Sequence, residues 1–339
     1  MRKLATIRKI DNILPIDGAD AIEVAVVDGW KVVVKKGEYQ VNDLAVYLEI
    51  DSWVPHDLAP FLSKGKEPRE FNGVKGERLR TIKLRGQISQ GLLLPLSVFP
   101  HSLGFEYATE KTIGEDVTEW LKIQKWEKPI PAQLAGLVKG NFPTAIPKTD
   151  QERVQNISKQ LPTLQGSLFE ITEKLEGSSM TCYLLDGVFG VCSRNLDLKR
   201  DENNAFWKVA IKYDIEAKMR SLEYDNFAIQ GELIGPGVQG NIYNLTDLDF
   251  YVFDVYDVGI GDYLYPDFRR TLIDKIGLKH VPVIVNNGVV GDNVEQVLKL
   301  AEGVSVLNDK QEREGIVFKS VKGGITFKAI SNKYLMNEK

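Results

Sequence analysis

Apolar positions over residues 1 to about 100 arrive in short runs cut by turn residues, and none is spaced for a helix. The stretch "IEVAVVDGWKVVVKKGEYQVNDLAVYLEI" reads as a strand, an Asp28-Gly29 turn of the hairpin type, a second strand, a polar break after Gly37 and a third strand. Farther on, "RTIKLRGQISQGLLLPL" alternates, which puts Ile82 and Leu84 on one face and Lys83 and Arg85 on the other. Strands at this spacing without intervening helices predict a small all-β barrel of the OB type, an architecture much used on nucleic acids. Trp30, Tyr47 and Trp53 then have two open readings, stacking platforms for bases or aromatic core.

The pattern changes at Trp126. Residues 126–148, "WEKPIPAQLAGLVKGNFPTAIPK", hold four prolines and little periodicity, and read as a linker between a 1–125 module and a 149–339 domain. Thr149 or Asp150 with Glu152 behind it predicts a capped helix over "TDQERVQNISKQL". "MTCYLLDGVFGVCSRN" predicts a hairpin turning at Asp186-Gly187. In "NAFWKVAIKYDIEAKMRSL", Phe206, Val209, Ala210, Ile215, Met219 and Leu222 recur at helical spacing. Strands "FAIQGELIG" and "FYVFDVYDV", helices near "FRRTLIDKI" and "NVEQVLKLAEG", and closing strands "EGIVFKS" and "ITFKAIS" complete an α+β domain with largely antiparallel sheet.

Composition narrows the chemistry. At 339 residues, 43% apolar and 27% charged, the chain is long enough for two cores. No run nears the roughly 18 apolar residues of a membrane span, and the first twenty residues lack an apolar signal region, so a cytoplasmic protein is expected. Cys182 and Cys192 are too few for a disulfide scaffold or a zinc site, and His56, His101 and His280 are scattered. Reactions must therefore run on Lys, Glu, Asp and Arg. The net charge of −4 argues against nonspecific coating of nucleic acid, yet Lys64 to Arg85 carries eight basic residues against three acidic ones, a local +5.

Two cheap motifs need weighing. "GPGVQG", Gly235 to Gly240, satisfies G-x-G-x-x-G, but it leads into another strand instead of opening a helix, so it is no dinucleotide fingerprint. K-x-x-G occurs at Lys83, Lys111 and Lys174, and only Lys174 has an acid two positions on. Only Lys174 is followed by "SRN" (Ser193–Asn195), "GEL" (Gly231–Leu233), "FYVFDVY" (Phe250–Tyr256), "EGIVFKS" (Glu314–Ser320) and "FKAIS" (Phe327–Ser331).

This ordered set resembles the covalent nucleotidyltransferases, the superfamily of polynucleotide ligases and mRNA capping enzymes. The whole chain most resembles RNA ligases with an N-terminal OB module. The resemblance implies an N-terminal OB-like barrel followed by an α+β nucleotidyltransferase (ATP-grasp-like adenylyltransferase) domain with antiparallel sheets. It implies ATP as co-substrate, Mg²⁺ or Mn²⁺, and an RNA partner with 3′-hydroxyl and 5′-phosphate ends, expected as a nicked duplex bound by a monomer with no membrane attachment. Lys174 would attack the α-phosphate and carry AMP, with Gly177 allowing a tight turn beside the nucleotide. Glu176 and Glu314 would hold a hydrated metal, and Glu232 would join that shell or accept from the ribose. Lys319 and Lys328 would grip the α-phosphate as catalytic cations, and Glu173 and Arg194 would line the nucleotide. Phe253 would stack on adenine, with Tyr251 as the alternative. Arg80, Lys83 and Arg85 would face RNA.

A free lysine is neutral in only about one molecule in 2,500 at pH 7, equivalent to roughly 4.6 kcal/mol of lost nucleophile. Lys174 is therefore expected among cations, or desolvated, so that its pKa falls; in the family, bound metal and neighbouring lysines supply this. Two departures matter: Ser179 stands where DNA ligases carry arginine, and "TFK" (Thr326–Lys328) offers one lysine where two are common. Eleven residues follow Lys328, so no C-terminal OB domain of the DNA-ligase or capping-enzyme kind is expected. A minimal DNA ligase and an RNA-end-binding protein with an inactive ligase domain are the alternatives.

Overall fold

A computed structural model describes residues 2–99, 109–127, 136–222 and 224–337. They fall into two compact units, one running to residue 129 and taking in Gln155–Lys159, the other made of the remainder. Among the described residues no helix is long and apolar enough to cross a membrane.

The first unit is all β. Its strands are β1 (Ala5–Lys9), β2 (Asn12–Pro15), β3 (Ile22–Val27), β4 (Trp30–Lys35), β5 (Leu44–Leu48), β6 (Ser52–Pro55), β7 (Arg69–Phe71), β8 (Val74–Arg78), β9 (Ile82–Leu84), β10 (Gln87–Ser89), β11 (Leu92–Leu94) and β12 (Gln124–Lys125). They pair antiparallel in the orders β1-β5-β11, β2-β3-β4 and β12-β6-β8-β7, with β9–β10 as a separate hairpin. Ile7, Val46, Leu48, Val54 and Val117 fill the core. Asp28 takes a positive φ of 51° in the expected hairpin turn between β3 and β4.

The aromatic question resolves to core. Trp30, Tyr47 and Trp53 are all buried. Trp30 and Tyr47 pack with ring centroids 5.7 Å apart, and the indole N–H groups of Trp30 and Trp53 donate to Asn156 Oδ1 (2.7 Å) and Val74 O (3.0 Å). Indoles satisfied inside the protein are not platforms for bases. The alternation at Ile82–Arg85 holds along the strand but divides no core from solvent: β9 pairs only with β10, and Ile82, Lys83, Leu84 and Arg85 are all exposed. Arg85 (φ 48°) lies in the turn with Gly86, not on the strand.

The second unit is built on two sheets. One has the order β13 (Val138–Asn141), β18 (Leu196–Leu198), β17 (Val188–Cys192), β16 (Ser178–Leu185), β19 (Phe227–Ile234), β20 (Asp249–Asp257), β21 (Asp262–Tyr263), with β22 (Lys279–His280) parallel to β20. The other runs β14 (Glu152–Arg153), β25 (Thr326–Ile330), β24 (Gly315–Ser320), β15 (Leu168–Lys174), β23 (Val283–Val289), and is antiparallel except for β14 against β25. The helices are α1 (Ala205–Lys212), α2 (Ile215–Arg220), α3 (Pro266–Lys275), α4 (Val294–Ala301) and α5 (Asn332–Asn337). Met180, Cys182, Ile229 and Leu233 of the larger sheet pack with Val209, Met219 and Ile273 of the helices. Under the smaller sheet Phe169, Phe318 and Phe327 form an aromatic cluster with centroids 4.7–6.0 Å apart.

Two local expectations fail for identifiable reasons. No helix starts at Thr149, because Glu152–Arg153 stay extended alongside Phe327–Lys328 and a 3₁₀ run containing Pro162 follows over Val154–Leu164. The periodic stretch 204–222 breaks into two short helices at Asp214, which is left-handed (φ 50°). Of the proline-rich stretch 126–148, residues 128–135 lie outside the described residues, and Val138–Asn141 forms an edge strand of the larger sheet.

Candidate active site

Strand alternation assembles the site. On the smaller sheet the register sets Lys174 opposite Gly315, Thr172 opposite Val317 and Lys328, and Glu170 opposite Lys319 and Thr326. Opposed residues point to one face, so Lys174, Lys328 and Lys319 share the face turned away from the phenylalanine cluster. On the larger sheet the face opposite the helices carries Ser179, Thr181, Gln230 and Glu232. Contacts from Lys319 to Phe253 and Asp254 join the two polar faces into one cleft.

Glu173 shows what alternation costs a neighbour. One residue before the nucleophile candidate, it faces the other way, is buried, and accepts from the Val306 N–H (2.8 Å). Its side chain holds a loop and faces away from Lys174. Gly177 is also needed for a different reason than expected. A Cβ there would stand 2.4 Å from Leu233 O and 2.8 Å from Glu232 Cγ, so the close approach of β19 excludes a side chain.

Lys174 has the expected desolvation and one cation, Arg194, acting on it, together with two carboxylates that act the other way. Its ammonium donates to Glu314 Oε1 at 2.7 Å. Burial pulls its pKa down, but the carboxylates of Glu314 and Glu232 outweigh that and hold it above the ordinary lysine value. Glu232 itself is pushed up to about 8, first by burial and then by Glu314 and Glu176, with Lys174 opposing. Lys328 lies one same-face step, about 7 Å, along the sheet from the level of Lys174, and contacts Asp150 Oδ1 at 3.3 Å. Lys319 lies two steps away, about 13 Å. Its ammonium is committed to Phe253 O (2.6 Å) and Asp254 Oδ1 (2.5 Å). Lys319 stands farther along the cleft than Lys328, 5.5 Å from the Phe253 ring centroid. Phe253 itself is partly exposed at an irregularity in the β19–β20 register and packs with Leu175, Ile234, Tyr243 and Val281. Tyr251, the alternative, faces Lys279, whose Nζ is 5.4 Å from its ring centroid.

The matching family models are an OB-fold domain over residues 4–96 and RNA ligase over residues 167–334. The solved RNA ligase of Naegleria gruberi in complex with PPi is 46% identical, with a TM-score of 0.91 over 99% of this chain and 98% of that one. A lysine-to-alanine variant of that enzyme with ATP and Mn gives 45% identity and a TM-score of 0.91 over 99% of both chains. A glutamate-to-alanine variant with AMP and Mn gives 45% and 0.92, again over 99% of both. No curated protein sequence matches. The chain belongs to the RNA ligase family. The OB-fold followed by a ligase fold is the fold class expected from the sequence.

In this ligase the cleft also holds residues that no motif announced. Asp150 bridges Lys328 and Arg194, the latter at 3.5 Å from the turn between β17 and β18. Thr149, expected as a helix cap, instead places its hydroxyl 2.9 Å from that of Ser179. A cavity of about 290 Å³ opens beside Lys319, Asp254, Arg269, Thr326 and Asp150. Glu314 and Glu232 act on Lys174, and Glu176 and Glu314 act in turn on Glu232. Among the described residues, however, no three Asp, Glu, His or Cys side chains converge closely enough to enclose an ion by themselves. Oxygen donors that are charged and not converged fit a hard divalent cation that keeps several of its waters.

Proposed function

We propose that this enzyme joins an RNA 3′-hydroxyl to an RNA 5′-phosphate with ATP, as in RNA repair, through an enzyme-bound and then an RNA-bound adenylate. The observation that carries the reading is Lys174, held 2.7 Å from Glu314 on the same sheet face as Lys328. The solved Naegleria enzyme with ATP and Mn supports ATP and a divalent metal here.

In the first step neutral Lys174 Nζ forms a bond to the α-phosphorus, the bond to pyrophosphate breaks, and the amine gives up its proton. Glu314 and Glu232 favour the ammonium before the reaction, so their charge must be matched for attack. Glu176, Glu232 and Glu314 would hold a divalent cation, which would supply that matching charge and offset repulsion between carboxylates and phosphate. Lys328 and Arg194, now on Asp150, transfer to the phosphate oxygens, where charge-assisted hydrogen bonds stabilise the developing negative charge. Phe253 supports the adenine, and Lys319 borders the nucleotide beside it. In the second step an RNA 5′-phosphate oxygen takes AMP from Lys174, which recovers a proton as it leaves. In the third the RNA 3′-hydroxyl attacks that 5′-phosphate, its proton is lost and AMP departs. Arg80, Lys83 and Arg85 are exposed with no ion pair among the described residues, and serve as phosphate contacts for a nicked duplex bound by a monomer.

The test is a nicked duplex with a labelled RNA 5′-phosphate strand. We expect an adenylated RNA band followed by sealed product, and much slower sealing when the 3′-hydroxyl end is deoxyribose, since the 2′-hydroxyl distinguishes RNA. Absence of AMP transfer to the 5′-phosphate, from enzyme that carries label, would refute the reading.

A further inference from the structure

Lys319 is held by a charge network that the ligation chemistry does not call on. Arg269, on α3, is only 1% exposed, and Glu170, on β15, is 0% exposed. The guanidinium uses its fork in three directions: Nη2 on Glu170 Oε1, Nη1 on Asp254 Oδ1 at 3.4 Å, and Nε on His280 Nε2 at 3.1 Å. These partners come from β15, β20 and β22, so one side chain ties three strands in two different sheets. His280 Nδ1 faces the carbonyl of Val281 at 2.6 Å, which makes Nδ1 the donor and leaves Nε2 as acceptor for Arg269. Arg270 secures the other oxygen of Glu170. The oxygen of Asp254 that Arg269 touches is the one that receives Lys319.

We propose that Arg269 is a positioning residue of the nucleotide cleft, orienting Asp254 so that Lys319 is fixed beside Phe253. The inference rests on the reading of this cleft as the ATP site. A lysine has a flexible four-carbon stem and three rotatable donors, so one contact does not fix its ammonium. Two acceptors, Phe253 O and Asp254 Oδ1, fix Lys319, and the second is only as rigid as its own support. Arg269 supplies that support from the far side, while Glu170 and His280 prevent the guanidinium from turning. A buried ion network is a poor device for stability alone, since well-packed apolar side chains do as well. Its value here is geometric. Lysine cannot replace Arg269, because it lacks the planar fork that reaches three partners at fixed angles.

Enzyme-adenylate formation from α-labelled ATP by the full chain tests this in a double-mutant cycle. Arg269→Gln is expected to raise the KM for ATP about tenfold, and Arg269→Lys to behave like it. Lys319→Ala is expected to raise KM by a similar factor. In the Lys319→Ala background, Arg269→Gln is expected to add less than twofold. The same tenfold rise in both backgrounds would overturn the proposal, because Arg269 would then act independently of Lys319. If Arg269→Gln fails to fold, the paired change Glu170→Gln with Arg269→Gln, which leaves no lone charge of the two, is read in the same two backgrounds against the same criteria. An unchanged KM in Lys319→Ala alone would overturn the ATP reading of Lys319, and the proposal with it.

Discussion

The two units use the same basic side chains in opposite ways. On the first unit Arg80, Lys83 and Arg85 are exposed on and beside a small hairpin, and none has an ion-pair partner among the described residues. In the cleft of the second unit every candidate cation is tied: Lys174 to Glu314, Lys328 and Arg194 to Asp150, Lys319 to Asp254. Exposed, unpaired charges act at a distance and are screened by salt over about 8–10 Å. Paired charges that are also buried, as on Lys319 and Lys328 though not on the exposed Arg194, act by geometry and are screened little. The first arrangement suits a long polyanion met in many registers, and the second suits one phosphate held at one place. Net charge hides the division, because the −4 of the whole chain averages over a local +5.

Breaking the cleft should have far larger effects than breaking the hairpin. Lys174→Ala should lower adenylate formation by at least about 10⁴-fold, as loss of a nucleophile does elsewhere; label retention after denaturation measures it. Lys328→Ala should cost about 10²-fold in the same assay, the usual scale for one preorganised charge donor. The triple change Arg80→Ala, Lys83→Ala, Arg85→Ala should leave adenylate formation intact. It should weaken binding of nicked RNA and flatten the slope of log K against log salt by up to about 2–3, close to one unit per lost phosphate contact. Loss of adenylate formation in that triple variant would erase the distinction between the units.

The smallest expected effect is on pH dependence. Burial lowers Lys319 to about 8, with Asp254 opposing. As pH rises through that value the ammonium loses its charge, so the KM for ATP should rise a few-fold between about pH 7 and pH 9. Lys319→Arg, whose guanidinium stays charged throughout, should abolish the rise. A rise that persists in Lys319→Arg would assign the titration to another group.

What was legible in the sequence was the chemistry carried by short fixed strings. Lys174, Glu176, Glu232 and Glu314 were singled out because their order and spacing are peculiar to the chemistry, and in the structure Glu314 and Glu232 act on the Lys174 ammonium while Glu176 acts on Glu232. The direction of the Glu173 side chain, away from Lys174, was legible too, since adjacent residues on a strand face opposite ways. Thr149–Glu152 was misread because a helix cap and a polar strap use the same residue types, and only pairing with Phe327–Lys328 decides between them. Trp30 and Trp53 had two readings until burial chose one. Asp254 lies inside the "FYVFDVY" string, whereas Arg269 and Glu170 carry no local signal at all. They lie 99 residues apart at the extremes of their contact, and topology alone brings them together.

The central claim is that the amine of Lys174, although its carboxylate neighbours favour the charged form, becomes bonded to phosphorus. Peptide mapping by mass spectrometry of the enzyme incubated with ATP and Mn²⁺ addresses it directly. The account predicts one AMP on the peptide containing Lys174 and on no other, removed when pyrophosphate is added. An AMP carried by a different residue, or RNA sealing by enzyme that never acquires one, would contradict it.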